Sequence, residues 1–151
     1  MRMATAYEVG GKLAEAEQEL RRLMAEDPRN ANALNSLSYM LADRGLRLPE
    51  AVALAERALA IEPGNPSYLD TLGWALFKPG KAEEADVPLA RAAATLAGNS
   101  VIQDHHGDVL ARLGRHAEAV AAWERALAGD GELIDRGAIE KKITAARAKA
   151  R

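Results

Sequence analysis

Asp104, His105, His106 and Asp108 form the one group in this sequence whose residue types and spacing suggest metal chemistry. His105 and Asp108 stand at the three-residue spacing that places two side chains on one helix face, which suits two ligands of a divalent cation. A third ligand of matching type and position is missing. His106 falls where equivalent positions elsewhere in the chain carry Leu37 and Leu72, so it is expected to be a partly buried imidazole hydrogen-bonded to a neighbour. Neither a metal nor a cofactor is expected. Gly10, Gly11 and Lys12 begin like a phosphate loop, but the rest of that motif does not follow, and no nucleophile-elbow pattern occurs. With no cysteine there is no thiolate nucleophile and no disulfide framework. The sequence is therefore read as non-catalytic, and its chemistry is sought in binding.

The elements that would position binding residues follow from composition and periodicity. Apolar residues make up 48% of the 151 positions but aromatics only 4%, so the interior must be filled with Ala and Leu from closely packed helices. The length suits one domain. A net charge of −2 supplies no global positive field for a phosphate backbone, so nucleic acid is not an expected partner. The first nine residues hold no apolar run long enough for a signal peptide or a membrane span, and membrane insertion is not expected. The cytoplasm is the default location, with a periplasmic or outer-membrane-associated one if the natural N-terminus lies further upstream.

A repeat organises the chain. Glu-Ala recurs at Glu15-Ala16, Glu50-Ala51, Glu84-Ala85 and Glu118-Ala119, and an arginine recurs in step at Arg22, Arg57, Arg91 and Arg125. Four residues after each repeated alanine stand Leu20, Ala55, Leu89 and Trp123, on the same helical face. A column of small residues, Ser38, Gly73 and Gly107, lies ahead of these. Around it Leu34, Leu37 and Leu41, then Leu69, Leu72 and Leu76, then Gln103, His106 and Leu110 show the three-and-four spacing of a buried helix face. Each repeat thus holds two amphipathic helices. The small residues let two backbones approach more closely than leucine would permit. Gly11, Gly45, Gly80 and Gly114 fall between the paired helices, where a tight turn needs positive φ. Pro28 and Pro63 close second helices, and Asn65-Pro66 supplies an N-cap with a first-turn proline.

These columns resemble the tetratricopeptide repeat, whose large, small and proline positions match Leu69, Leu72, Gly73, Leu76, Ala85, Leu89 and Ala92. The likeness covers nearly the whole chain. It implies an all-α, right-handed superhelical solenoid of antiparallel helix pairs in a single domain. An incomplete repeat over 1–28 would be followed by full repeats over 30–63, 66–97 and 100–130 and by a capping helix over 134–151. From Leu34 to Ala128 the chain is similar to the terminal repeats of bacterial tetratricopeptide proteins, including outer-membrane lipoprotein adaptors.

The resemblance also implies a function, that of a scaffold or adaptor binding a protein or peptide in its concave groove. Carried over position by position, the groove comprises Asn35, Asp70 and Asp104, then Tyr39, Trp74 and Asp108, then Asp43, Lys78 and Arg112. Asn32, Ser36, Ser67, Thr71 and His105 flank them. Two aromatics at one end and carboxylates at the other suit an extended or helical peptide with apolar and some basic character. The competing role for Trp74 is packing against Phe77 and the neighbouring repeat. Some tetratricopeptide domains hold a partner's C-terminal carboxylate with Lys, Asn and Arg. The matching positions here are Asn35, Tyr39, Asp70, Asp104 and Asp108, so that clamp is not expected.

Three departures from the pattern carry expectations of their own. Met1 to Val9 lack the large residues of a complete first helix, so that edge is expected to expose apolar surface and either to continue upstream or to self-associate around Met3 and Tyr7. A structural or assembly role by edge stacking, and an adaptor role in a bacterial envelope or protease complex, are the alternatives to groove binding. At the other end Ile139, Ile143, Ala146 and Ala150 form one apolar stripe, with Lys141, Lys142, Arg147, Lys149 and Arg151 on the remaining faces of a solvating cap. Pro79 can end a first helix, whereas Pro88 falls inside a second one, where a bend or a frayed first turn from Lys81 is expected.

Overall fold

The computed structural model describes residues 12–150, and among them all regular structure is helical. Eight helices follow one another: α1 (Leu13–Glu26), α2 (Ala31–Arg44), α3 (Leu48–Ile61), α4 (Pro66–Phe77), α5 (Ala82–Thr95), α6 (Ser100–Arg112), α7 (His116–Ala128) and α8 (Arg136–Ala150). Helices α2/α3, α4/α5 and α6/α7 pack as pairs, each pair also touching the next, and α8 closes the stack on α7. The chain is an all-α solenoid of antiparallel helix pairs. None of these helices is long and apolar enough to cross a membrane. The expectations concerning Met1 to Val9, including the exposed edge at Met3 and Tyr7, lie outside the described residues.

Local chemistry sets the helix ends. Each first helix of a pair starts at an asparagine whose side-chain oxygen accepts from the first turn: Asn30 from Ala33 N–H at 3.0 Å, Asn65 from Ser67 and Tyr68 N–H at 2.9 and 3.2 Å, and Asn99 from Ile102 N–H at 3.1 Å. Each of these helices also ends alike. Gly45, Gly80 and Gly114 take φ of 68°, 97° and 80°, a region closed to most side chains. The residue after each glycine then donates back across the last turn, as in Leu46 to Leu41, Lys81 to Leu76 and Arg115 to Leu110. Asn65→Ala is expected to cost about 1 kcal/mol and Asn65→Gly only a few tenths, read as a difference in urea midpoint.

Packing follows the periodic columns. Ala51, Ala85 and Ala119 are fully buried, as are Leu34, Leu37 and Leu89. A Cβ built on Gly73 would meet Leu89 Cγ at 2.4 Å, and one on Gly107 would meet Trp123 Nε1 at 2.4 Å. The third member of that column, Ser38, keeps its Cβ because Ala55 stands where the others have Leu89 and Trp123. Its hydroxyl donates to the Ala51 carbonyl at 2.6 Å. On α8, Ile139, Ile143 and Ala146 are buried against Leu110, Trp123 and Ala126, whereas Ala150 at the end of the expected stripe is exposed.

Pro88 does not fray its helix. The first turn of α5 is closed by Ala85 N–H donating to the Lys81 carbonyl at 3.0 Å, and the helix runs unbroken to Thr95. Ala85, Leu89 and Ala92 are all fully buried around the buried proline. That burial outweighs the one backbone hydrogen bond a proline forfeits.

Candidate binding groove

Helices α2, α4 and α6, with Lys78 at the C-cap of α4, carry the nine residues expected in the groove and the flanking His105, and the structure divides these ten into two sets. Asn35, Tyr39, Asp70, Asp104 and His105 converge on one cleft of about 310 Å³, flanked by Ser67 and Thr71. Asp43, Trp74, Lys78, Asp108 and Arg112 do not line it.

The second set is occupied with holding repeats together. Trp74 is 8% exposed and lies in a column of rings, its centroid 3.9 Å from His105 of α6 and 5.4 Å from Phe77. Its Nε1–H donates to Asp43 at 3.4 Å, Lys78 Nζ stands 4.9 Å from its centroid, and Arg112 stands 5.1 Å from that of Phe77. Trp74 therefore packs against Phe77 and the neighbouring repeat, and little of its ring is left for a ligand. Tyr39, whose ring is tilted 6.2 Å from His105, continues the aromatic wall into the cleft, where it is half-buried.

The metal-like stretch on α6 is pulled toward separate partners. His105 Nδ1 lies 2.8 Å from Asp70, whereas His106 Nε2 lies 3.1 Å from Asp86. His106 is thus the partly buried, hydrogen-bonded imidazole expected of it. Burial holds its pKa below the usual histidine value even though Asp86 favours the charged form. Asp104 and Asp108 both accept from Lys142 Nζ of α8, each at 2.7 Å, and Asp108 accepts from Trp123 Nε1–H at 3.3 Å. Burial raises the Asp108 carboxyl above its ordinary range, with Lys142 opposing. Lys142 in turn is raised, because its hydrogen bonds to the two carboxylates outweigh its own burial.

Several contributors to this region were not among the expected site residues, notably Lys142, Asp130, Glu132 and Leu133. The last three come from the α7–α8 linker, which is tied down on the start of α6. Asp130 N–H donates to the Gly98 carbonyl at 2.9 Å, and Gly131 N–H to Ser100 Oγ at 2.8 Å. The side chain of Asp130 accepts from the N–H groups of Ser100 and Glu132 at 3.2 and 3.1 Å. The linker reaches α6 because position 129 is glycine. A Cβ there would come within 2.6 Å of the Gly98 oxygen. The Gly-Asp-Gly pattern marks a turn in the sequence, but that the turn lies against Gly98, thirty-one residues earlier, shows only in three dimensions.

Known proteins show the same architecture. The tetratricopeptide-repeat family model matches residues 1–66. A TPR repeat-containing protein of Pseudomonas aeruginosa is 39% identical over 80 residues, which make up 53% of this chain and 14% of that protein. A thermophilic TPR protein of Thermus thermophilus superposes with a TM-score of 0.80 at 19% identity, over 99% of this chain and 80% of that one. MamA gives 0.75 at 21% identity over the same two shares. The first TPR domain of human RPAP3 gives 0.70 at 22% identity, over 82% of this chain and 97% of that one. At these identities the structural likenesses speak to fold alone.

Proposed function

Because this chain is a tetratricopeptide-repeat protein, we propose that it is a non-catalytic scaffold that holds a protein segment, as an extended or helical peptide, in the concave cleft between α2, α4 and α6. Arrays of this family serve in general as protein-interaction scaffolds. The observation that supports the reading here is the convergence of Asn35, Tyr39, Asp70 and Asp104 from three successive first helices on one continuous cleft. Such a cleft offers a peptide backbone amide and carboxylate partners along its length and an aromatic wall at one end. Its carboxylates disfavour capture of a free C-terminal carboxylate.

Trp74→Ala is a poor probe of this function, since removing a buried tryptophan costs about 3–5 kcal/mol by itself. Val101 borders the cleft, is half-buried, and can be made to obstruct it. A random dodecamer display library selected on the full chain is expected to yield peptides that bind alike to wild type and to an Ala60→Arg control, at an exposed position of α3 that does not line the cleft. Val101→Arg should bind the same peptides about tenfold or more weakly, read by fluorescence anisotropy. Selected peptides indifferent to Val101→Arg would sink the groove reading.

A further inference from the structure

We propose, on the groove reading above, that the cleft takes a lysine or arginine side chain of the bound peptide, with its cation between Asp70 and Asp104 on one wall and Asp130 and Glu132 on the other. Leu133 then covers an apolar residue beside that cation. Apart from His105, which bonds Asp70, the charged side chains lining the cleft are carboxylates. The four carboxylates come from α4, α6 and the α7–α8 linker, and among the described residues no lysine or arginine lines the cleft. Asn35, which also borders it, has a side-chain oxygen buried from solvent with no hydrogen-bond partner among the described residues. A buried acceptor without a donor costs free energy, and a cationic group supplies both the missing donors and the opposite charge.

The chain already holds one cation in this way. Lys142 Nζ sits 2.7 Å from both Asp104 and Asp108 and 5.4 Å from the Trp123 ring centroid, so a carboxylate pair and an aromatic face seat an ammonium next to the cleft. The open cleft repeats that chemistry with Asp70, Asp104 and the Tyr39 ring. It adds Asp130 and Glu132, both exposed to solvent.

Leu133 supplies the apolar half of the argument. It is 94% exposed and has φ of 63°, in the left-handed region that a leucine disfavours. Folding gains nothing from a strained, solvated leucine. The linker that carries it is nevertheless fastened to α6 by the bonds of Asp130 and Gly131, so Glu132 and Leu133 are held together at the rim. A peptide with a basic residue next to an apolar one satisfies both.

The dodecamers selected on the full chain test this. Enrichment of lysine or arginine beside an apolar residue is expected. So is a loss of about tenfold in affinity on Glu132→Lys, a smaller loss on Glu132→Gln, and weakening by added salt. Leu133→Gly should melt no lower than wild type, since it relieves the positive φ, yet bind more weakly. Peptides that carry no basic residue, ignore Glu132→Lys and still lose affinity on Val101→Arg would overturn the cation seat while leaving the groove reading standing. Peptides indifferent to Glu132→Lys, Leu133→Gly and Val101→Arg alike, or no enrichment at all, would overturn both.

Discussion

Gly107→Ala is expected to destabilise the protein by about 1–3 kcal/mol, although alanine is the better helix former by about 1 kcal/mol. The added Cβ would lie 2.4–2.8 Å from three atoms of the Trp123 indole, a rigid ring that is itself 3% exposed and hydrogen-bonded to Asp108. No flexible chain end is available to move aside. The sign of the effect should depend on residue 123. In a Trp123→Ala background the same Gly107→Ala change is expected to be neutral or stabilising, because the pair then matches Ser38 and Ala55 of the first full repeat. A double-mutant cycle by urea denaturation measures the difference. Equal costs in the two backgrounds would show that Gly107 is not there to admit the indole.

That size pairing explains why so much of the fold was legible in sequence. Ser38, Gly73 and Gly107 on first helices stand opposite Ala55, Leu89 and Trp123 on second ones, and both columns recur at intervals of 34 or 35 residues. In a solenoid each repeat buries its face against its neighbours, so a constraint met once is met again at the same register. Period, turns and buried columns are therefore written several times over. Of the bend or frayed first turn expected at Pro88, the fraying does not occur, for the opposite reason. That expectation weighed one local hydrogen bond without the tertiary burial of Ala85, Leu89 and Ala92 around it.

The groove was only half legible. Face assignment grouped Asn35, Tyr39, Asp70, Asp104 and His105, and the structure brings these five to one cleft. It had no means of showing that Trp74 would be roofed by His105, because the distance between adjacent repeats depends on which rings stack there. Nor did it connect the linker or α8 to the groove. Asp130, Glu132 and Leu133 arrive through a close approach at Gly129, and Lys142 through the docking of α8 on α7. Lys142 belongs, in sequence, to a row of cap cations, and only its position over Trp123 separates it from Lys141 and Lys149.

Lys142→Met is accordingly expected to cost about 1–3 kcal/mol at neutral pH, far more than an ordinary surface lysine. The cost falls below that of breaking a fully buried pair because the lysine side chain keeps 33% of its exposure. Methionine retains an apolar stem over Trp123 and removes only the charge, so the deficit reports the loss of the cation beside Asp104 and Asp108. The pH dependence fixes the cause. Asp108 is already raised by burial with Lys142 present, and without it the carboxyl rises further. A carboxyl whose folded pKa lies above its unfolded one binds its proton more tightly when folded, so the fold gains stability as pH falls through the folded value. The variant should therefore recover toward wild type as pH falls from neutrality toward the unfolded aspartate value, as Asp108 takes up a proton and no longer needs a cation. Lys142 itself is raised in the folded protein, so its stabilising contribution is complete below the unfolded lysine value and is lost as pH rises through the folded one. On the alkaline side wild type should approach the variant. Urea midpoints of both proteins across this range provide the measurement. A deficit independent of pH would show that the charge of Lys142 is not its source.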